Sequence, residues 1–439
     1  MPRQPVDRLS ADDLMSLHGD AGTVPMQVGG ILWLEPGRVR PEELLAHLAR
    51  RLPAAPRLRT VMHRVPRGCG RPVWVDDPGF RLDDHVASAP VGGDADVEAL
   101  ATAALTDPLP LDRPPWAGRL AVSGDGSVRA VILVVHHVLA DGMAALGVLA
   151  ALADGAEPED DEFPRPLPSR ADLVADNLRG RLAGVRRLPS ALLELGMAVR
   201  LMAASGTVPP TSLNQPTGAR RTLVTVTRDL SEVRAAAHDS GGSVNDAALA
   251  VIAGALRTVL VRRGEDPEGF VFSVPFAYHA PGTATGNASA VMPLRVPAVG
   301  SAAARVSAAA QVTGAAKRRP RALGNSILRP AFRLMVRLGW FRRFIDNQRQ
   351  VNTIVTNVRG PAEQLFLAGC RVQHIVPLTV ATGNITVAFA IFSYAGGLSV
   401  TAMADPATWP DLAELARAIE EQWDELLPHE ELRPPQAAS

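Results

Sequence analysis

The chain has 439 residues, enough for two or three domains around a large core. Hydrophobic residues make up 47% and charged residues 21%, which excludes a disordered chain. Lys+Arg and Asp+Glu both number 45, so a dedicated nucleic-acid binder, normally basic, is set aside.

The opening residues, MPRQPVDRLSADDLMSL, hold no apolar run of the signal-peptide kind, and the chain is expected to be cytoplasmic. No stretch of 18 residues is apolar and free of charge, which argues against a membrane span. Cys69 and Cys370 form neither a Cys-x-x-Cys pair nor a disulfide framework, in keeping with a reducing compartment.

In chain order, MQVGGILWLEPG reads as a strand ending in a turn, and RPEELLAHLARRL has helical spacing with Pro41 near its first turn. RPVWVDDPG is another strand. VRAVILVVHH is continuously apolar, as a strand covered on both faces would be. GMAALGVLAALADG is then helical. The next stretch carries six acidic residues from Asp154 to Glu162, followed by Pro164, Pro166 and Pro168. It marks a boundary or an exposed crossover. A helical stretch from Ala171 and the loop GTVPPTSLNQPTGARR follow it. The second half repeats the α/β texture, with strands RTLVTVTRDL, GFVFSVPFAYH, ASAVMPLRVP, NTIVTNVRG, RVQHIVPLTV, NITVAFAIFSY and GLSVTAMA. SVNDAALAVIAGALRTVLVRRGE is a strong helix, with Ser243 or Asn245 as N-cap and Gly264 at its end. WPDLAELARAIEEQWDELL closes the chain as an amphipathic helix. The expected division is 1–155, a linker with crossover helices over 156–219, and 220–439.

Residues 317–349 carry ten basic residues and one acid, Asp346, interleaved with Leu, Phe, Met and Trp. Two readings stand: a surface helix with snorkelling arginines, or a docking segment for anionic headgroups or phosphates.

The densest chemical signal is His136-His137 at a strand end, with Asp141-Gly142 where a helix begins. Successive strand side chains point to opposite faces, so one histidine faces a given cavity and the other is structural. Asp141 can orient an imidazole, pair with an arginine or cap the helix, and Gly142 permits a sharp turn or close substrate approach. Metal binding fits poorly, because neighbouring strand histidines diverge and there is no His-Glu-x-x-His. A serine hydrolase lacks its Gly-x-Ser-x-Gly elbow, and neither a P-loop nor a Gly-x-Gly-x-x-Gly occurs. What remains is a histidine general base that activates a hydroxyl or amine toward an activated acyl group.

HHVLADG resembles the His-His-x-x-x-Asp-Gly signature of the CoA-dependent acyltransferase superfamily. LSADDLMSLHGDAGTVPMQVGGILWLEP, the Asn245-Asp246 helix, TNVRGPAEQLFLAGCRV and the C-terminal strands and helix resemble the bacterial wax ester synthase/diacylglycerol acyltransferase family. The likeness covers nearly the whole chain. Two departures bear on substrate preference: the short Pro110–Trp116 segment, and Val274–Ala280, which lacks an arginine after Val-Pro.

The resemblance implies an α/β fold of two chloramphenicol-acetyltransferase-like domains around a central substrate tunnel. It implies acyl-CoA as co-substrate, no other cofactor and no metal, and diacylglycerol or a long-chain alcohol as acceptor. His137 is the expected general base, with His136 and Asp141 holding the loop and Gly142, Asn245 and Asp246 at the substrate. Helix capping would equally explain Asn245 and Asp246. No acyl-enzyme on Cys69 or Cys370 is expected, and Trp116 is read as packing. The basic 317–349 segment is the expected contact with a membrane or lipid-droplet surface. Acyltransfer to another hydroxyl or amine, a carrier-fed condensation enzyme, and a non-catalytic lipid-binding relative are the competing readings.

Overall fold

A computed structural model describes residues 6–427, except 11–12, 15, 18–19, 21–23, 140–141, 156–157, 159–161, 187–192, 194–195, 197–206, 210, 278–288, 319–333, 337 and 380. Asp141, much of the basic segment, the end of Val274–Ala280 and most of the helical stretch beyond residue 186 therefore lie outside the described residues.

The first half runs β1 (Gln27–Leu34), α1 (Pro41–Arg51), β2 (Thr60–His63), β3 (Val73–Asp76), β4 (Val86–Pro90), α2 (Asp94–Thr106), β5 (Trp116–Val122), β6 (Val128–His136), α3 (Gly142–Leu152) and α4 (Arg170–Arg186). The second runs β7 (Thr222–Asp229), α5 (Leu230–Asp239), α6 (Val244–Arg262), β8 (Gly269–Ala277), β9 (Ser289–Pro297), α7 (Ala302–Arg318), α8 (Phe341–Asp346), β10 (Thr353–Arg359), β11 (Phe366–Leu367), β12 (Cys370–Leu378), β13 (Val387–Tyr394), β14 (Gly397–Ala404) and α9 (Leu412–Leu426).

Helix starts follow local chemistry. Pro41 occupies the first turn of α1, where its missing N–H costs nothing, and the Glu43 side chain accepts the Arg40 N–H at 2.8 Å. Ser243, rather than Asn245, caps α6. Gly264, at φ +82°, follows that helix in the left-handed conformation that glycine adopts without strain.

Two six-stranded sheets organise the molecule, in the orders β11-β12-β1-β6-β5-β4 and β7-β14-β13-β10-β8-β9. The first sheet is completed from the far half of the chain: β12 pairs antiparallel with β1, Gly29 opposite Leu378 and Leu32 opposite Ile375. Division of the chain by sequence order alone places Phe366–Leu378 with the second half; its backbone pairing is with the first. Asp154 fastens this crossover, accepting the Ala368 and Gly369 N–H groups at 3.0 and 2.7 Å.

Strand β6 is antiparallel to both neighbours, so its unbroken apolarity reflects two covered faces rather than parallel pairing. Ala130, Ile132 and Val134 pack in the cluster under α2, whereas Val131 and Val135 face the cluster that contains α3. Gly29 is required where β1 meets β6, because a Cβ there would lie 2.1 Å from the Leu133 carbonyl oxygen. In the second half, α6, α7 and α9 cover one face of the other sheet. Helix α6 is long and apolar enough to cross a membrane, but 72% of its most apolar window is buried inside the fold, as in a core helix.

Candidate active site

The alternation of β6 selects between the two histidines. Residues 131, 133, 135 and 137 share one parity, and Leu133, Val135 and His137 all line a cavity of about 240 Å³. His136 has the opposite parity and is only 1% exposed. The strand end thus sends one imidazole into the cavity and buries the other.

The buried one is held through its backbone and Nδ1, with Nε2 facing a carboxylate. The Val138 N–H donates to His136 Nδ1 at 3.0 Å, so that nitrogen carries no proton. The proton of the neutral ring then sits on Nε2, which lies 3.3 Å from Asp20 Oδ2. The His136 N–H donates to the Pro115 carbonyl at 2.9 Å, and the Leu139 N–H closes a turn on the His136 carbonyl at 2.8 Å. His137 is half-buried, and its N–H donates to the Met26 carbonyl at 2.7 Å. The Met26 N–H donates to Asp20 Oδ1 at 2.7 Å. Burial pushes the Asp20 carboxyl up, but the His136 contact and the Met26 N–H outweigh it and hold it below its ordinary value.

The cavity lies between the sheets. Val28, Gly30 and Leu32 of β1 and Ala145, Leu146 and Leu149 of α3 form one wall. Ile354, Thr356 and Val358 of β10 form the other, with Phe392 of β13 and Ile375 and Pro377 of the crossover strand. Among the described residues, the polar side chains of its lining are His137, Thr356, Thr379 and Thr382. Such a lining excludes water and admits a long hydrocarbon, while leaving few groups to compete for a proton. Leu32, Leu133 and Leu149 also border a narrower apolar pouch of about 30 Å³ that reaches Trp116. Trp116 is packed there: its Nε1 donates to the Leu58 carbonyl at 2.8 Å and its ring stacks on His85 at 4.6 Å.

Asn245 and Asp246 do not line this cavity; they open α6. Asp246 accepts the Ser243 N–H at 2.9 Å and the Thr313 hydroxyl at 2.7 Å, which makes it a capping-box and helix-packing residue. Asn245 Oδ1 accepts from Asn357 Nδ2 at 3.0 Å, tying α6 to β10 beside Thr356. Gly142 begins α3, whose next turns supply Ala145 and Leu146 to the cavity. Cys69 and Cys370 are free and buried, and burial raises the Cys370 thiol pKa, which leaves it a poor nucleophile.

Sequence reasoning passed over Asp20, Gln27 and Asn357. Gln27 is fully buried; its amide donates to the Leu105 and Asp107 carbonyls at 2.8 and 3.0 Å and accepts the Leu109 N–H at 2.8 Å. That satisfies the carbonyls at the end of α2, against which β1 lies. The one available signal was a polar residue heading an apolar strand.

Two mixed sheets joined by an exchanged strand, with a strand-end histidine in the apolar cavity between them, define the two-domain chloramphenicol-acetyltransferase-like class. Solved structures agree on that fold. The wax ester synthase/diacylglycerol acyltransferase from Marinobacter aquaeolei superposes with a TM-score of 0.68, covering 96% of this chain and 98% of that one at 21% identity. The starter condensation domain of rhizomide synthetase, in complex with C8-CoA, gives 0.61 at 16% identity, covering 96% and 94%.

The wax ester synthase/diacylglycerol acyltransferase catalytic domain matches residues 9–248, and the C-terminal domain of the same family matches 285–427. A putative diacylglycerol O-acyltransferase of Mycobacterium tuberculosis is 30% identical, over 96% of this chain and 90% of its own length. A probable diacylglycerol O-acyltransferase of the same organism, tgs1, is 28% identical over 91% and 90%. The chain belongs to the wax ester synthase/diacylglycerol acyltransferase family.

Proposed function

We propose that this protein transfers a long-chain acyl group from acyl-CoA to the hydroxyl of diacylglycerol or a long-chain alcohol, giving triacylglycerol or a wax ester. The observation that carries the reading is His137 at the wall of an apolar cavity between the two sheets. The imidazole takes the acceptor's proton as its oxygen attacks the thioester carbonyl. The tetrahedral adduct collapses, the C–S bond breaks, and the departing CoA sulfur recovers the proton from the imidazolium. No protein nucleophile takes part. A positioned base supplies on the order of a hundred- to ten-thousand-fold. The rest comes from holding two apolar substrates together in a dry site.

His136 serves by fixing the backbone around His137, and Gly142 by opening α3. Asn245 and Asp246 serve at one remove, holding the first turn of α6 against β10. The test is CoA release from palmitoyl-CoA by purified protein, with diacylglycerol, with hexadecanol and with neither, and mass analysis of the ester. Acceptor-dependent release with the matching ester is the expected result; acceptor-independent release, or none, would overturn the reading.

A peripheral lipid contact is part of the proposal. Its support is the exposure of Leu334, Leu338 and Trp340, at 47, 48 and 63%, next to the half-exposed Arg342 in the basic segment. The free state of both cysteines accords with a reducing cytoplasm. Cosedimentation with anionic but not zwitterionic vesicles is expected, and equal recovery with both would remove the headgroup part of the proposal.

A further inference from the structure

We propose that Asp20, in the segment before β1, is a positioning residue of the acyl-transfer site: its two carboxylate oxygens fix the backbone on both sides of His137. The inference rests on His137 being the base.

Each oxygen has its own partner, and both routes end at His137. Oδ1 accepts the Met26 N–H at 2.7 Å, and the Met26 carbonyl accepts the His137 N–H at 2.7 Å. Oδ2 faces His136 Nε2 at 3.3 Å, and His136 Nδ1 accepts the Val138 N–H at 3.0 Å. The peptide groups before and after His137 are therefore both anchored to one carboxylate. Two fixed peptide planes fix the direction of the Cα–Cβ bond between them, and with it where the imidazole enters the cavity. A carboxylate facing Nε2 also favours the tautomer whose Nδ1 is free to accept from Val138, so the ring and its backbone contact support each other.

The placement has a further consequence. His137 lies just beyond the last residue of β6: the final ladder pair with β1 is Gln27 with His136, and one further backbone bond joins His137 to Met26. The backbone bond from His137 to Met26 is the last across this edge, and Asp20 secures it through the Met26 N–H. A simple loop cap would need only the Oδ1 bond to Met26; the second oxygen on a buried ring goes beyond that role. Because small displacements of a catalytic group are costly, loss of the anchor should act on turnover rather than on substrate binding.

The experiment compares Asp20→Asn and Asp20→Ala with the unaltered protein and with His137→Ala. Turnover, KM for palmitoyl-CoA, melting temperature and the side-chain NMR spectrum of isotope-labelled histidines are measured on each. The expected result is a fall in kcat of about 10- to 100-fold in both Asp20 variants, the scale of a small misplacement of a catalytic group. KM should stay within about twofold. The ring nitrogen signals of one histidine, the one removed in His136→Phe, should shift in Asp20→Asn. Unchanged kcat in both Asp20 variants, or a loss that merely follows the unfolded fraction, overturns the proposal. If His137→Ala itself turns over normally, the base reading fails; the His136 signals then still report whether Asp20 holds that ring.

Discussion

Asn357 Nδ2 donates to Asn245 Oδ1 at 3.0 Å, joining the strand that carries Thr356 into the cavity to the first turn of the buried helix α6. Both asparagines fall in segments with a clear sequence signature, yet their contact spans 112 positions of chain. A double-mutant cycle of Asn245→Ala and Asn357→Ala should show coupling of about 0.5–1.5 kcal/mol in urea unfolding. Additive effects would mean the pair does no structural work.

Asp246 is expected to be a stability residue. Asp246→Ala removes a capping box and takes from the buried Thr313 hydroxyl its shorter bond, leaving the 3.2 Å contact with the Ala310 carbonyl. The cost should be about 1–3 kcal/mol in chemical denaturation, with kcat per folded molecule unchanged. A normal midpoint with a large drop in kcat would instead place Asp246 at the substrate.

Two adjacent glycines of β1 should respond in opposite ways. A Cβ at Gly30 would meet nothing closer than the Val376 carbonyl oxygen at 3.4 Å and would project beside the cavity. Gly30→Leu should therefore fold and lose kcat/KM for palmitoyl-CoA by about tenfold or more, while octanoyl-CoA is largely spared. Gly29→Ala drives its Cβ into the Leu133 carbonyl and should cost about 1–3 kcal/mol of stability. Thermal melts beside a chain-length series check both.

The linker after α3 is pinned by a titratable pair. Arg165 Nε and Nη2 donate to Asp76 at 3.0 and 2.6 Å, and its N–H donates at 2.8 Å. Burial pushes the Asp76 carboxyl up, but the Arg165 hydrogen bonds and the Arg165 and Arg59 charges outweigh it and hold it below its ordinary 3.8. A lowered folded pKa gives stability that is present above the unfolded value and lost as pH falls through the folded one. Asp76→Asn should therefore cost about 1–3 kcal/mol at neutral pH, and the gap between its melting curve and that of the unaltered protein should begin to narrow only below about pH 4, as the folded-state carboxyl takes up its proton. A gap that does not narrow at all as the pH falls below that range would assign the effect to packing.

Much of this was legible in the chain. The period-2 rule separates His136 from His137, and the structure has His137 in the cavity wall and His136 buried. Val128–His136, Val244–Arg262 and Leu412–Leu426 announced themselves by apolar pattern and caps. Strand β4 and helix α2 did not stand out, since VASAP is short and half exposed and the first turn of α2 carries Asp94 and Asp96. The exchange of β12 into the first sheet was hidden because pairing across more than 300 positions leaves no local trace. Asp20 was hidden for the same reason: its partner His136 is adjacent only after β1 and β6 have paired.

The most direct test of the account is turnover of His137→Ala and His137→Gln with palmitoyl-CoA and the better of the two acceptors, beside melting curves for each. Both variants should melt like the unaltered protein and lose at least about a hundredfold in kcat, the lower bound of what a positioned base contributes. Either variant turning over within a few-fold of the unaltered protein would contradict it.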